Sequence, residues 1–144
     1  MTPAVAERVL SLVIALGSGA VLAIAVWLTP DAAGHSTHTQ LGLQQCTFLS
    51  FTGWPCPMCG ATTTFSLMAH LRVLDGIANQ PFAAALFVAT VAVFAISAAE
   101  AVLPTRRWSR IYARVERWEG HLAIGFIFAM MLGWTYKIAM MSLA

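Results

Sequence analysis

Three long apolar stretches, each about as long as a membrane-spanning helix, constrain this chain more than any other feature. They run from about Val9 to Leu28, from about Pro81 to Leu103 and from about His121 to Leu143. Each reaches the roughly 20 residues that an α-helix needs to cross ~30 Å of hydrocarbon. The composition agrees, because only 10% of the residues are charged, against about 25% in soluble domains. The sequence therefore predicts an all-α integral membrane protein, with three transmembrane helices in a single domain over residues 1–144.

A signal peptide is the alternative interpretation of the first apolar stretch, since Arg8 precedes it. Its apolar core is longer than a typical signal-peptide core, and no convincing small-x-small cleavage site follows Leu28. We therefore expect a retained transmembrane helix.

The basic residues predict the orientation of the chain in the membrane. Five of the eight lie together between the second and third stretches: Arg106, Arg107, Arg110, Arg114 and Arg117. Because basic loops stay in the cytoplasm, this loop and the N-terminus are expected inside, and residues 29–80 and the C-terminus outside. The aromatic residues Trp27, Trp54, Trp134 and Tyr136 are then expected at the outer membrane interface.

The same basic segment has apolar residues at three- and four-residue steps, namely Trp108, Ile111, Tyr112, Val115 and Trp118. This spacing predicts an amphipathic helix over about residues 105–119 that lies in the inner interface. Such a helix is a topology anchor or, alternatively, a binding surface for anionic lipid or a partner protein. Nucleic-acid binding is not expected, because the arginines form one membrane-facing cluster and the net charge is only +2.

The outer segment, about residues 29–78, divides into an exposed polar loop and a short helix. The helix is expected from about Ala61 to Leu71 and to end near Asp75 and Gly76. It is too short to cross a bilayer, so we interpret it as a re-entrant or interfacial half-helix. Pro81 then begins the second transmembrane helix, where a proline in the first turn costs no hydrogen bond.

All three cysteines of the chain, Cys46, Cys56 and Cys59, lie in this outer segment. With His35 and His38 they could ligate a soft metal ion such as zinc, copper or iron. Alternatively, two of them form a disulfide in an oxidising compartment, structural or redox-active. A third interpretation is that they are small apolar fillers. A Cys-x-x-Cys pair at a helix start is also expected to have lowered thiol pKa values.

Other polar residues carry weaker predictions. Thr62, Thr63 and Thr64 are expected to cap the half-helix or to bond to neighbouring helices. Glu100 is expected to pair with an arginine of the basic loop. Lys137, near the end of the third stretch, is expected to extend outward to the membrane surface.

The cysteine segment resembles a bacterial membrane family of unknown function, DUF2752. The resemblance is carried by Cys46, by the turn Thr52-Gly53-Trp54-Pro55, by the run from Cys56 to Thr62 and by Asn79-Gln80-Pro81, within about residues 40–100. Thr63 stands where the family commonly has arginine. The resemblance implies a location in the bacterial inner (cytoplasmic) membrane and attaches importance to the three cysteines. It names no biochemical function.

The sequence thus predicts a small membrane protein that is a non-catalytic subunit or scaffold of a membrane complex, with a structural cysteine cluster on its outer face. A homo-oligomer or other membrane subunits are expected as partners, since three helices enclose little interior. The alternative is a membrane thiol–disulfide redox protein that uses Cys56 and Cys59. No residues are assigned as catalytic or as holding an organic cofactor, because no dedicated acid or base stands out beside the dithiol.

Overall fold

The computed structural model describes residues 3–103 and 107–143. The predicted start of the basic helix at residue 105, and Arg106 with it, lies outside the described residues. Seven α-helices are described, with no strand among these residues: α1 Pro3–Trp27, α2 Thr47–Thr52, α3 Ala61–Ala69, α4 Val73–Asn79, α5 Pro81–Val102, α6 Arg107–Val115 and α7 Glu119–Ser142. Short 3-10 helices cover Thr37–Leu41 and Glu116–Trp118. The all-α prediction is therefore confirmed.

Three helical segments are long and apolar enough to cross a membrane. They are Val5–Trp27, Pro81–Val102 and Arg107–Ser142. The third is longer than the predicted stretch because it includes the basic helix α6 and the 3-10 turn between α6 and α7. Trp118, the residue before α7, has a non-helical backbone with φ at −118°, so α6 and α7 remain separate helices.

The helices pack around α5. Helix α1 lies along α5, α3 contacts α1, α4 and α5, and α7 packs against α5. Gly19 allows the close approach of α1, since a Cβ atom there would lie 3.0 Å from the ring of Phe94. Gly133 does the same for α7 against Phe82, where a Cβ atom would lie 2.6 Å from the Cβ of Phe82.

The described ends of the three long helices differ in chemistry. We call the end formed by Leu28, Pro81 and Ser142 the cysteine end, because α2, α3 and the cysteines lie there. The opposite end is called the arginine end. There the backbone amide of Arg107 donates to Glu100 Oε1 at 3.2 Å. The side-chain Nε of Arg107 lies 4.0 Å from Glu100 Oε2. The predicted pairing of Glu100 with an arginine of the basic loop is confirmed.

The predicted half-helix is divided into α3 and α4. Between them Leu71 adopts a left-handed conformation, with φ at 62°. The amide of Arg72 donates to Leu67 O at 2.9 Å and that of Leu71 to Met68 O at 3.1 Å, which closes the end of α3. This position usually belongs to glycine, so the sequence contained no signal for the break.

Buried polar side chains concentrate at the cysteine end. Thr37, Thr63, Thr64, Ser66 and Gln80 each have no exposed surface. The hydroxyl of Ser66 donates to the carbonyl of Leu28 and so fixes α3 to the end of α1. A polar interior of this kind, at the end of apolar helices, positions a site rather than only filling space.

Candidate functional site: the cysteine cluster

The Cys-x-x-Cys pair forms a tight turn directly before α3. The amide of Cys59 donates to Cys56 O at 2.9 Å, and that of Ala61 donates to Met58 O at 3.0 Å. Gly60 then enters the helix in a left-handed conformation, with φ at 83°. Both cysteines therefore precede the helix and do not lie in its first turn.

Side chains from other helices fix the backbone of this turn. Each of three carbonyl oxygens around the pair accepts a hydrogen bond from α7 or from the residues that lead into α5. The pairs are Trp134 Nε1 to Pro55 O at 2.7 Å, Gln80 Nε2 to Pro57 O at 3.0 Å and Asn79 Nδ2 to Gly60 O at 3.2 Å. The turn is thus held in place by the third membrane helix and by the residues just before the second.

One cavity of about 190 Å³ brings four of the five predicted site residues together. Cys46, Cys56, Cys59 and His38 all line it. His35 does not line this cavity, and its Nδ1 is hydrogen-bonded to Ser36 Oγ at 2.8 Å. Within residues 3–103 and 107–143, no three His, Cys, Asp or Glu side chains are arranged to hold a metal ion. A metal set of Cys46, Cys56, Cys59, His35 and His38, whether for zinc, copper or iron, therefore stays a prediction.

All three cysteines are free thiols. Cys59 is only 5% exposed, whereas Cys46 and Cys56 are half-buried. Cys46 and Cys56 lie close enough for each thiol to shift the pKa of the other, and Cys56 also affects the pKa of Cys59.

The expected lowering of the pKa at the Cys-x-x-Cys pair is wrong. Burial raises the pKa of Cys56 to about 11, and the hydrogen bond with Cys46 adds to this effect. Burial also raises the pKa of Cys59, as does the charge of Cys46, while the positive charge of Lys137 opposes both. Desolvation disfavours the thiolate, and these two sulfurs lie too deep for the helix start to compensate.

The pKa of Cys46 moves the other way. The amide N–H of Leu49 lowers it most, burial opposes this, and the Cys56 thiol lowers it further. Cys46 occupies the N-terminal cap position of α2, although its side chain forms no capping hydrogen bond, and the backbone amides of the first turn of α2 lower its pKa. The thiol of the cluster with the lowered pKa is therefore Cys46, which sequence spacing did not distinguish.

Two of the three threonines of α3 bond to neighbouring segments, as predicted. The hydroxyls of Thr37 and Thr63 are hydrogen-bonded at 2.7 Å, and Thr64 Oγ1 accepts from Asn79 Nδ2 at 2.9 Å. Thr62 lines the cysteine cavity. Thr63 is fully buried.

Lys137 is the site residue that sequence reasoning missed. It was expected to reach the membrane surface, but it is only 4% exposed. Its ammonium donates to Asn79 Oδ1 at 2.8 Å and to Gly34 O at 3.1 Å, beside the cysteine turn. The available signal was a single lysine in an apolar helix, which is a functional-site hypothesis by default when it faces the protein.

Comparison with known proteins agrees with the position of this site. The model of the family described as "Protein of unknown function (DUF2752)" matches residues 46–94, which begin at the first cysteine. The predicted resemblance to this family is confirmed over these residues. No curated protein and no solved structure matches the chain.

Proposed function

We propose that this membrane protein carries out thiol–disulfide exchange at the cysteine end of its helices, with Cys46 as the attacking thiol and Cys56 as the resolving thiol. The observation that carries the proposal is that these two thiols line one cavity and lie close enough for each to shift the pKa of the other. It replaces the pair Cys56 and Cys59 that the sequence suggested for a redox protein.

The opposite pKa directions support this division of roles. A thiolate is the nucleophile in disulfide exchange, so the cysteine with the lowered pKa attacks first. Cys46 is the thiol with the lowered pKa, and it is half-buried rather than enclosed. Cys56 stays protonated until the exchange begins, since burial raises its pKa.

The reaction proceeds in two balanced steps. The Cys46 thiolate attacks a disulfide of a partner protein, forms a mixed disulfide and releases one partner thiolate. The thiolate of Cys56, after its proton passes to the released thiolate, attacks Cys46 Sγ and expels the second partner thiolate. The partner gains two electrons, and Cys46 and Cys56 are oxidised to a disulfide.

One observation favours a second function, a non-catalytic subunit or scaffold with a structural metal site. His38 lines the same cavity as the three cysteines and would complete a Cys₃His ligand set of the kind that binds zinc. In that case the cluster would hold the outer segment together and carry out no exchange.

Trapping of the mixed disulfide separates the two functions. The purified, reduced protein is incubated with oxidised glutathione, quenched with an alkylating reagent and mapped by peptide mass spectrometry. Cys56→Ser should accumulate glutathione on Cys46, whereas Cys46→Ser, the matched control, should not acquire it at Cys56 at a comparable rate. The wild type should give a Cys46–Cys56 disulfide.

Metal content is measured on the same preparations. Two results together would overturn the exchange reaction in favour of the metal site. The wild type would contain about one equivalent of zinc, copper or iron that is lost in Cys56→Ser, and its thiols would not react with oxidised glutathione. Glutathione found equally on all three cysteines would overturn the roles given to Cys46 and Cys56.

The location completes the proposal. We place the chain in the bacterial inner membrane, with its N-terminus inside and the cysteine end and the C-terminus outside, where an oxidising compartment supplies disulfides. The support is the separation of the arginines of α6 from the cysteines, at opposite ends of the long helices. Labelling of Cys46 in intact cells with a membrane-impermeant maleimide tests the orientation, and protection until lysis would contradict it.

We also propose a second copy of the chain or another membrane subunit as a partner. The support is α7, which among the described helices packs mainly on α5 and leaves large apolar side chains such as Ile124 and Phe128 exposed. Crosslinking in native membranes is the test, and a monomer at all protein concentrations with no crosslinked partner would contradict this part of the proposal.

A further inference from the structure

The ammonium group of Lys137 lies against the residue that follows Cys59. A Cβ atom on Gly60 would lie 3.2 Å from Lys137 Nζ. Asn79 links the two, because its side chain accepts from Lys137 Nζ at 2.8 Å and donates to Gly60 O at 3.2 Å. The lysine is therefore held beside the cysteine turn and cannot reach the membrane surface without losing these bonds.

The positive charge of Lys137 is not neutralised by a carboxylate in the part of the chain that the structure describes. Its hydrogen bonds go to the carbonyl of Gly34 and to the carbonyl and side-chain oxygens of Asn79, all of them neutral groups. A buried cation without a counter-ion is costly in a membrane protein. Asp31 and Asp75 line a cavity with Lys137, but within the described residues neither carboxylate forms an ion pair with it. The charge of Lys137 acts on Cys59, so a thiolate formed there would be stabilised.

Cys59 is also the thiol that the exchange reaction leaves unused. It is 5% exposed, lines the cavity with Cys46 and Cys56, and is joined to Cys56 by the backbone hydrogen bond of the turn at 2.9 Å. The charge of Lys137 counteracts the rise that burial produces in the pKa of Cys59. Geometry and charge thus favour a role for Cys59 inside the cluster, out of contact with an external protein.

We propose that Cys59 is a second, internal resolving thiol that moves the disulfide from Cys46–Cys56 to Cys56–Cys59, and that Lys137 is the positioning residue that stabilises the Cys59 thiolate during this step. The inference rests on the proposed exchange function and adds an internal acceptor to it.

The step is a disulfide isomerisation without net oxidation. The Cys59 thiolate attacks Cys56 Sγ, the Cys56–Cys59 bond forms, and the Cys46–Cys56 bond breaks with its electron pair on Cys46. The proton that Cys59 gives up is taken by the departing Cys46 sulfur or by water in the cavity. Because a thiol with a lowered pKa leaves faster, the lowered pKa of Cys46 favours this direction.

The consequence is that the half-buried Cys46 is regenerated as a free thiol while the oxidising equivalent is stored in the turn. A second exchange cannot begin until the Cys56–Cys59 disulfide is reduced. In the reverse reaction the Cys46 thiolate would attack Cys56 Sγ and re-form the Cys46–Cys56 disulfide. The cluster would act as a relay between the outer face and the membrane-side turn.

Time-resolved disulfide mapping tests the relay. The reduced full-length protein in mild detergent is mixed with oxidised glutathione, quenched with acid at intervals, alkylated and mapped. The wild type should show Cys46–Cys56 first and Cys56–Cys59 later. Cys59→Ser should stop at Cys46–Cys56, and this variant keeps the test decisive even where a Lys137 variant fails to fold.

The role of Lys137 is measured as the ratio of the second-step rate to the first-step rate. In Lys137→Met we expect this ratio to fall several-fold, because loss of the positive charge raises the pKa of Cys59 and lowers the fraction present as thiolate. Lys137→Arg, which retains the charge, should restore part of it. A merely structural effect of the lysine would slow both steps alike and would not be rescued by arginine.

The outcomes distinguish this inference from the function on which it rests. If Cys46–Cys56 never forms, the exchange function itself is wrong. If it forms and no Cys56–Cys59 disulfide follows, the relay is wrong and the exchange function stands. A relay that proceeds at an unchanged rate ratio in Lys137→Met would overturn the role of the lysine alone.

Discussion

Gly34 and Gly60 pack backbone against backbone, so that a Cβ atom on Gly60 would lie 2.5 Å from the carbonyl oxygen of Gly34. Both glycines have a left-handed backbone, with φ at 71° and 83°. The same carbonyl of Gly34 accepts from Lys137 Nζ at 3.1 Å. This contact therefore joins the loop after α1, the cysteine turn and α7 at a single point.

A side chain at Gly60 should be poorly tolerated. Gly60→Ala combines a left-handed alanine, which costs about 1–2 kcal/mol, with a clash against backbone that cannot rotate away. We expect a loss of more than about 3 kcal/mol in the free energy of unfolding, measured by denaturation in detergent. Gly42→Ala is the matched control, because its φ is 76° and nothing lies within 4 Å of the added atom. Equal losses at the two positions would contradict the close packing.

Much of the fold could be predicted because hydropathy decides it. An apolar stretch such as that after Pro81 has no stable conformation in a membrane other than a helix, and the structure begins α5 at that proline. The break at Leu71 could not be predicted, since the left-handed position that ends α3 usually belongs to glycine and is occupied here by an 85% exposed leucine.

The site was predictable in its members and not in its electrostatics. Sequence spacing alone predicted that the three cysteines lie together, and they do line one cavity. Which thiol is activated depends on burial and on which amides face the sulfur, and both are properties of the folded chain. Lys137 and Asn79 lie far apart in the sequence and meet only by packing of α7 beside α4 and α5. No local pattern connects them.

The buried pair of Thr37 and Thr63 should contribute through its hydrogen bond. Thr37 Oγ1 also accepts from the amide of Asp31 at 3.0 Å, so removal of either hydroxyl leaves a buried polar group short of a partner. We expect Thr63→Val and Thr37→Val each to cost about 1–3 kcal/mol in the free energy of unfolding. The double variant should cost less than the sum of the two. Strict additivity in the double-mutant cycle would show that the hydroxyls do not interact.

Trp134 should stabilise the cysteine turn as well as anchor the helix. Trp134→Phe removes the donor to Pro55 O and should cost about 1–2 kcal/mol, with faster alkylation of Cys56 as the turn loosens. Trp27→Phe is the control, because Trp27 also lies at the cysteine end and is 69% exposed. Similar alkylation rates of Cys56 in the two variants would argue against the anchoring role of Trp134.

The three thiols should react at different pH values. The thiolate is the reactive form, so a lowered pKa moves the midpoint of alkylation to lower pH and a raised pKa moves it higher. Cys46 should have a midpoint below the ordinary value of 9.0, and Cys56 should have a midpoint near 11. Iodoacetamide rates on the reduced wild type, followed by peptide mass spectrometry from pH 6 upward, measure both in one sample. In the denatured chain the difference should vanish, since it arises from burial and from the amides of α2. A folded protein in which Cys56 is alkylated at lower pH than Cys46 would reverse the roles of attacking and resolving thiol.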